Sequence, residues 1–255
     1  MLYTVCCVPV ACLRKEPLHS AELTSQLLFG ECCKVLLTEK DWVLVQCQYD
    51  EYEGWCQLNQ LTEIILDDFL YAKKDLAFDW ANEMKYNGAN MRIPFGSSLT
   101  GVTNGKAEWK KNTVHYEGKV WELSKAERTA KSIRGVALRY LNTAYLWGGK
   151  SVFGIDCSGF TQMVYKFFSV PLPRDAAHQA VKGEVIGFLQ EARLGDLAFF
   201  DDTEGKINHV GILLSDYEII HAAGKVRIDK IDAQGILNVD TAQRTHQLRI
   251  IKRFF

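Results

Sequence analysis

The sequence predicts an α+β protein, in which two small all-β barrels precede a domain whose helices come before an antiparallel sheet. Short apolar runs with strand-like spacing fill residues 1–65 and, less clearly, residues 66–123. A helical pattern begins at Ser124, and strand-like segments follow residue 195. We therefore expect barrels at 1–65 and 66–123 and an independent domain at 124–255.

The first barrel is predicted by apolar runs at 42–46 and 54–58, which are separated by a charged turn. The second stretch has similar but weaker strand signals. Trp42 and Trp55 are 13 residues apart, and Trp109 and Trp121 are 12 apart. These similar spacings hint at an internal repeat.

The last domain begins with Ser124 and Glu127, which match a capping box at a helix start. Apolar spacing extends this helix over about 17 residues to a point near Asn142. A second helix is predicted at 157–169. Five strands are then expected, at 196–201, 207–214, 217–222, 226–231 and 247–253.

Composition limits the classes of function. Lys and Arg number 30 and Asp and Glu 31, so the net charge is −1. A near-neutral chain is a poor match for nucleic acid or an anionic membrane. The apolar stretch 1–13 has no basic residue before it, since Arg14 and Lys15 follow it. We expect no leader peptide and a cytoplasmic location; an exported protein whose leader has been removed is the alternative.

Seven of the eight cysteines lie within the first 56 residues, and no C-x2-C pair occurs. This spacing does not favour a structural zinc site. We expect these cysteines to act as small hydrophobic residues in strands, with one thiol of each adjacent pair facing outward. Many thiols without a disulfide scaffold also favour a reducing compartment.

Cys157 is the eighth cysteine, and it has different surroundings. Glycines at 148–149, 154 and 159 bracket a loop that delivers Cys157 to the first turn of a helix. Unpaired amides and the helix dipole favour a thiolate there, and the thiolate is the reactive form. Cys157 is therefore a candidate nucleophile, with a buried structural cysteine as the alternative.

Two histidines are candidates for the partner base. His209 and His221 are 12 residues apart on two predicted strands, a spacing that suits a hairpin with a turn near Asp216. One imidazole could accept the thiol proton while the other orients it. The other four histidines are expected to be structural. Zinc bound by Cys157, His209 and His221 is possible but has only Asp156 as a nearby carboxylate, so we predict neither a metal nor another cofactor.

The domain at 125–255 resembles the NlpC-type cysteine peptidases. Five motifs occur in that family's order: Tyr145-x-Trp147-Gly148-Gly149 with Gly154-x-Asp156-Cys157-Ser158-Gly159-Phe160; Leu172-Pro173-Arg174-Asp175-Ala176-x-x-Gln179; Gly195-Asp196-Leu197-x-Phe199-Phe200; Asn208-His209-Val210-Gly211-Ile212; and Ile220-His221-Ala222. The resemblance implies a papain-like fold that hydrolyses cell-wall peptides. It also implies Cys157 as nucleophile, His209 as base, His221 as orienting residue and Tyr145 near the oxyanion.

The stretch 31–55 resembles bacterial SH3-like barrels. Two such barrels before an NlpC-type domain are similar to the intracellular branch that trims released muropeptides with a free N-terminal L-alanine. That branch implies Asp156, Ser158 and a barrel glutamate, here Glu53, around the alanine amine. It also implies a substrate-side motif at Arg174 and Asp175, followed here by Ala176 where the branch often has serine.

Asp156 opposes ionisation of its neighbour Cys157. We therefore expect the thiolate to form as an ion pair with protonated His209. Helix capping explains an aspartate before Cys157, but serine or asparagine would also cap, so a carboxylate suggests a cationic partner. The substrate amine is the candidate.

The predicted function is a monomeric endopeptidase that cuts between γ-D-glutamate and a diamino acid in peptidoglycan-derived peptides. A secreted wall hydrolase with wall-binding barrels is the first alternative. A wall-binding module with an inactive catalytic domain, and an acyltransferase on the same fold, are further alternatives. Intact Cys157, His209 and His221 argue against an inactive domain.

Overall fold

The computed structural model describes residues 2–255, and the chain divides into two compact units. The first unit runs to Ala126 and also includes Trp147–Phe153; the second consists of Glu127–Leu146 and Gly154–Phe255. No helix within residues 2–255 has the length and apolar character that a membrane crossing requires. The predicted boundaries at 65 and 123 stay predictions.

The first unit opens with a seven-stranded antiparallel sheet in the order β3-β2-β6-β5-β4-β1-β7. Its apolar runs form the strands that their alternation predicts, and the all-β barrel expected near the N-terminus is confirmed. The strands are β1 (Leu2–Cys6), β2 (Val10–Arg14), β3 (Leu23–Leu28), β4 (Cys32–Glu39), β5 (Trp42–Cys47), β6 (Glu53–Gln57) and β7 (Leu61–Glu63).

The rest of the first unit begins with a short helix, α1 (Leu66–Tyr71). The strands that follow are β8 (Leu76–Ala77), β9 (Ala81–Tyr86), β10 (Ala89–Pro94), β11 (Lys106–Trp109), β12 (Asn112–Tyr116), β13 (Val120–Trp121) and β14 (Lys150–Ser151). All of these strands except β14 lie in two sheets, with orders β10-β9-β12-β11 and β13-β8.

Strand β4 is covered on both faces, which corrects one expectation about the cysteines. Cys33 packs in the core of the first barrel, and its neighbour Cys32 packs in a second cluster with Trp109 and Tyr116. Both thiols are buried, so neither member of this adjacent pair faces outward. The cysteines are free and act as small hydrophobic residues, as the sequence predicts.

The first helix of the second unit, α2 (Ala130–Leu138), is shorter than predicted and starts later. Ser124 lies instead in a 3-10 turn, and the extended backbone of Ala126 ends that turn. The N-cap is Thr129, whose side chain accepts a hydrogen bond from the Ser132 amide at 3.2 Å. The predicted cap at Ser124 is therefore wrong: Thr129 caps the helix instead, because the buried stripe of the helix follows Thr129 directly.

The remaining elements of the second unit match the predicted α+β order of helices before strands. Strand β15 (Gly154–Ile155) and helices α3 (Cys157–Lys166) and α4 (Ala176–Ala180) come first. The strands that follow are β16 (Glu184–Ile186), β17 (Leu197–Asp201), β18 (Ile207–Leu213), β19 (Glu218–Ala223), β20 (Lys225–Asp232), β21 (Gly235–Leu237) and β22 (Arg244–Arg253).

These strands form one antiparallel sheet, β16-β22-β17-β18-β19-β20-β21, and an additional β21–β22 pairing closes six of them into a ring. The ten-residue length of β22 permits this closure, since its start pairs with β21 and its remainder with β17. Phe200, Leu213 and Ile236 belong to the cluster that fills the ring. Opposed residues of an antiparallel pair lie on one face, and Phe200 opposes His209. His209 therefore lies on the face that this cluster occupies.

Candidate active site

Cys157 is the first residue of α3, as the sequence predicts for a reactive thiol. Asp156 is the N-cap, and its Oδ1 accepts a 2.7 Å hydrogen bond from the amide of Gly159. The amides of Ser158 and Val210 also form hydrogen bonds with the thiol, which favour its ionised form. The helix start and strand β18 thus meet at the sulfur.

Asp156 has its cationic partner within the chain. Arg174 makes a two-pronged contact with it, with Nη1 to Oδ1 at 3.0 Å and Nη2 to Oδ2 at 2.5 Å. Nη1 also donates to Ser158 Oγ at 2.9 Å. All three residues are buried. A planar guanidinium matches a carboxylate in this geometry, so the pair neutralises a charge that the cap alone would leave buried.

The thiol and the imidazole both favour their neutral forms here. Burial, together with the Asp156 charge, raises the pKa of Cys157 to about 12 and outweighs the opposing amide contacts and Arg174. Burial, with His221 and His246 nearby, lowers the pKa of His209 well below its usual value. Both directions oppose the expected thiolate–imidazolium pair. Desolvation, which the sequence does not show, dominates both groups.

His209 and His221 are brought together as predicted, although not directly opposite each other. His221 opposes Gly211 in the strand register, which places His209 diagonally across on the same face. His209 Nε2 and His221 Nδ1 are 2.8 Å apart, and both rings are buried. His221 Nε2 lies 2.9 Å from Oδ2 of Asp229, a residue that the sequence analysis missed.

His246, which the sequence analysis regarded as structural, stacks on His209. The ring centroids are 4.0 Å apart and the planes differ by 24°. The ligand nitrogens of His209, His221 and His246 lie within 4.8 Å of one another. Nε2 of His209 and Nδ1 of His221 already share a hydrogen bond, and the lone pairs of the stacked His209 and His246 rings lie in nearly parallel planes. A metal held by all three would require a ring to rotate, so this arrangement does not suit a metal ion.

Tyr145 lies near the thiol, where the family resemblance places it. Its backbone amide donates to the carbonyl oxygen of Gly224 at 2.9 Å. Burial, then the charges of Cys157 and Asp156, raises the pKa of Tyr145 to about 12. The phenol therefore keeps its proton throughout the neutral range and can donate a hydrogen bond to a developing negative charge.

The other predicted site residues have different surroundings. Asp175 is the N-cap residue of α4, but its side chain makes no cap hydrogen bond and is half-exposed. Glu53 lies in the first unit, exposed on β6, where its Oε1 accepts a 3.0 Å hydrogen bond from Gln46. Gln179, quoted in a motif without a role, is buried and donates to the carbonyl oxygens of Ser158 and Pro173. It ties the start of α3 to the segment that carries Arg174.

Comparison with known proteins agrees with this geometry. The model of the NlpC/P60 family matches residues 142–245, which include Cys157, His209, His221 and Asp229. The model described as the bacterial dipeptidyl-peptidase Sh3 domain matches residues 13–61. A γ-D-glutamyl-L-lysine dipeptidyl-peptidase of Bacillus subtilis is 31% identical over 218 residues, which are 78% of this chain and 72% of the relative.

The chain belongs to the NlpC/P60 family of cysteine peptidases. A dipeptidyl-peptidase 6 of Lysinibacillus sphaericus is 30% identical to this family member over 256 residues, which cover 88% of this chain and 90% of the relative. The solved structure of an NlpC/P60 family protein from Bacillus cereus superposes with a TM-score of 0.82 at 20% identity, covering 98% of this chain and 99% of that one. That likeness confirms the fold that the sequence predicts.

Proposed function

We propose that this NlpC/P60 peptidase cleaves the bond between γ-D-glutamate and a diamino acid in peptidoglycan-derived peptides that have a free N-terminal L-alanine. The observation that carries the proposal is the buried 2.8 Å contact between His209 and His221, beside a helix that begins at Cys157. A thiol at a helix start with an oriented imidazole is the arrangement that thiol acyl transfer needs. The choice of bond is inferred from the γ-D-glutamyl-L-lysine dipeptidyl-peptidase to which this chain is similar.

Each site residue then has a proposed role. Cys157 attacks the γ-carbonyl carbon of D-glutamate while its proton passes to His209, and His221 orients His209. Tyr145 donates to the resulting oxyanion. His209 returns the proton to the departing amine of the diamino acid, which leaves a thioester at Cys157. Water then hydrolyses the thioester with His209 again accepting a proton, and the free thiol is regenerated.

A neutral resting pair suits this order of events. Because burial keeps Cys157 protonated and His209 unprotonated, the base already holds the lone pair that it needs. Proton transfer and attack then occur together when substrate is bound. Neither the thiol nor the His209 ring has to carry a charge in the buried site beforehand, which would cost several kcal/mol if that charge were unpaired.

Selection for the free N-terminus is the more specific part of the proposal. A dipeptidyl-peptidase releases two residues from an unblocked end, here L-Ala-γ-D-Glu. We propose that Asp156 and Ser158, held by Arg174, lie beside that dipeptide, and that Asp175 contributes on the substrate side. Since Arg174 neutralises Asp156, binding of an ammonium group needs a further carboxylate. The family resemblance implies Glu53 for that role, and Glu53→Gln tests it by comparing KM for free and N-acetylated peptides.

The direct experiment uses matched synthetic peptides, L-Ala-γ-D-Glu-L-Lys and L-Ala-γ-D-Glu-diaminopimelate, each with a free or an acetylated alanine. We expect mass spectrometry to show L-Ala-γ-D-Glu released from the free forms and rates at least about 100-fold lower for the acetylated forms. Cys157→Ala is the inactive control. Equal cleavage of free and acetylated peptides, or a cut at another bond, would contradict the proposal.

Muropeptide recycling in the cytoplasm is the proposed setting, because the free alanine amine exists only after the stem peptide has left the glycan. The alternative is a secreted hydrolase that acts on intact wall. Purified sacculi distinguish the two, since the recycling enzyme should release no soluble peptide from them. Release of peptides from sacculi at a rate comparable to free-peptide cleavage would favour the secreted enzyme.

A further inference from the structure

The hydrogen-bonded chain behind the thiol continues beyond the residues that the proposed function uses. After His209 and His221 it reaches Asp229 Oδ2, 2.9 Å from His221 Nε2. Arg227 donates to both carboxylate oxygens of Asp229, at 2.7 and 2.9 Å, and the Val239 amide donates to Oδ1 at 2.9 Å. Asp229 is 1% exposed, so a buried carboxylate with four donors around it ends the chain.

The charge state of Asp229 follows from these partners. Burial alone would raise its pKa, but the hydrogen bonds from His221, Arg227 and Val239 outweigh burial and hold the pKa well below its usual range. An ionised carboxylate only accepts hydrogen bonds. The nitrogen of His221 that faces it must therefore be protonated, since a lone pair at 2.9 Å from the carboxylate would be repelled.

This single constraint propagates through both rings. A neutral imidazole has one protonated nitrogen and one lone pair. With the proton of His221 on Nε2, its Nδ1 is an acceptor, so the proton of His209 must be on Nε2 to complete the 2.8 Å contact. The lone pair of His209 is then on Nδ1.

We propose that Asp229 is a positioning residue that sets the tautomers of both histidines and thereby leaves the unprotonated Nδ1 of His209 available to the Cys157 thiol. The inference rests on the proposed cysteine-peptidase chemistry. It assigns Arg227 the task of keeping Asp229 ionised. The charge of Asp229 is connected to His209 through two successive hydrogen bonds, by way of His221. This fixed negative charge stabilises the imidazolium that forms when His209 accepts the thiol proton.

The substitution Asp229→Asn tests the tautomers directly. Each oxygen of Asp229 receives two donors. The donors to Oδ1, Arg227 Nη2 and the Val239 amide, cannot become acceptors, whereas His221 at Oδ2 can accept once its ring proton moves. The oxygen of the new amide should therefore stay at the Oδ1 position, and its NH2 group should face His221. An NH2 group donates to Nε2 of His221 and moves the ring proton to Nδ1. His221 Nδ1 would then donate to Nε2 of His209, so the proton of His209 would be on Nδ1. His209 would have no lone pair on Nδ1 with which to accept the thiol proton.

Asp232→Asn is the matched control. Asp232 lies on the same strand, β20, and Arg244 also binds both of its carboxylate oxygens. It is half-exposed, and its carboxylate pairs with Arg244 rather than with an imidazole. We expect Asp232→Asn to leave both the tautomers and turnover within twofold of the wild type.

The first readout is the imidazole ¹⁵N spectrum of the substrate-free protein. We expect Nε2-protonated His209 and His221 in the wild type and in Asp232→Asn, and Nδ1-protonated rings in Asp229→Asn. The second readout is turnover, where we expect kcat of Asp229→Asn to fall at least about 100-fold with KM within about threefold, since general-base catalysis contributes about 10²–10⁴. A folded Asp229→Asn with unchanged tautomers, or with kcat within threefold of the wild type, would overturn the inference.

Arg227→Met provides a second variant if Asp229→Asn fails to fold. Loss of the guanidinium should raise the pKa of Asp229, so the acid limb of the kcat profile should move to higher pH, whereas Arg244→Met should not move it. An acid limb that stays in place would refute the role of Arg227. The ¹⁵N spectrum needs no substrate, so it tests the tautomers independently of the proposed function. A wild-type protein that failed to cut the γ-D-glutamyl peptide would refute the proposed function but would not affect the tautomer result.

Discussion

The buried pair between Asp156 and Arg174 makes a sharp prediction about stability and about the reactivity of the neighbouring thiol. Their side chains are only 8% and 2% exposed, and two hydrogen bonds of 3.0 and 2.5 Å join them. Removing one partner leaves the other charge buried, which costs about 3–5 kcal/mol. Arg174→Met should therefore lower the free energy of unfolding by that amount. Arg244→Met, which breaks the exposed pair with Asp232, should cost less than about 1 kcal/mol.

The partner variant, Asp156→Asn, keeps a side-chain oxygen for the helix cap but removes the charge that Arg174 needs. We expect a loss of comparable size. The double variant should lose less than the sum of the two single variants by about 1–3 kcal/mol, because it leaves no unpaired charge. Urea unfolding of the four proteins, followed by tryptophan fluorescence and far-UV circular dichroism, gives the cycle.

The pKa of the Cys157 thiol distinguishes the Asp156→Asn variant from the Arg174→Met variant, whereas their stabilities are expected to be similar. The Asp156 charge raises the pKa of Cys157, whereas the Arg174 charge lowers it. Asp156→Asn should therefore move the pH midpoint of Cys157 alkylation by iodoacetamide downward, and Arg174→Met should move it upward. Peptide mass spectrometry distinguishes Cys157 from the other cysteines. Shifts in the same direction, or an Arg174→Met cost as small as that of Arg244→Met, would refute the reasoning.

Three further predictions concern the histidine chain and the nucleophile. Cys157→Ala should abolish turnover while changing the free energy of unfolding, measured in urea, by no more than about 1 kcal/mol. Measurable residual turnover would contradict the thiol mechanism. His221→Ala should lower kcat more than it raises KM, because it leaves His209 unoriented, and a wild-type kcat would exclude His221 from the mechanism. Burial lowers the pKa of His246 from 6.5 in the unfolded chain to about 4 in the folded protein. Between these two pH values the unfolded chain binds a proton that the folded protein does not bind. The free energy of unfolding should therefore fall as the pH drops from 6.5 to 4. His246→Gln should flatten that fall, and an unchanged slope in urea titrations would contradict it.

The elements that carry the candidate site were predictable because their sequence signals are local. The glycines before Cys157, the Asp156 cap and the apolar helix that follows all lie close to Cys157 in the sequence, and each acts through backbone geometry near the thiol. The hairpin that carries His209 and His221 was predictable for the same reason, since strand period and turn length are local properties. The family resemblance then assigned roles to these residues and added five that the local patterns had not singled out: Tyr145, Ser158, Arg174, Asp175 and Glu53.

The start of α2 was not predictable at the same level, because Ser124 and Thr129 offer competing caps. Likewise, the two buried faces of β4 depend on a second sheet that packs over Cys32, and strand alternation at Cys32 and Cys33 cannot reveal it. In both places the outcome depends on tertiary packing: packing selects Thr129 as the cap of α2, and a second sheet buries the face of β4 that carries Cys32.

Sequence patterns alone were enough to predict the order of helices and strands and the candidate nucleophile with its two histidines. The charges that these groups bear depend instead on tertiary contacts. Arg174 neutralises Asp156 across 18 residues, Asp229 reaches His221 from the next strand, and His246 arrives from β22 to stack on His209. Such contacts depend on sheet register and ring closure. Because desolvation and hydrogen-bond partners set a pKa or a tautomer, those properties exist only once distant strands have come together.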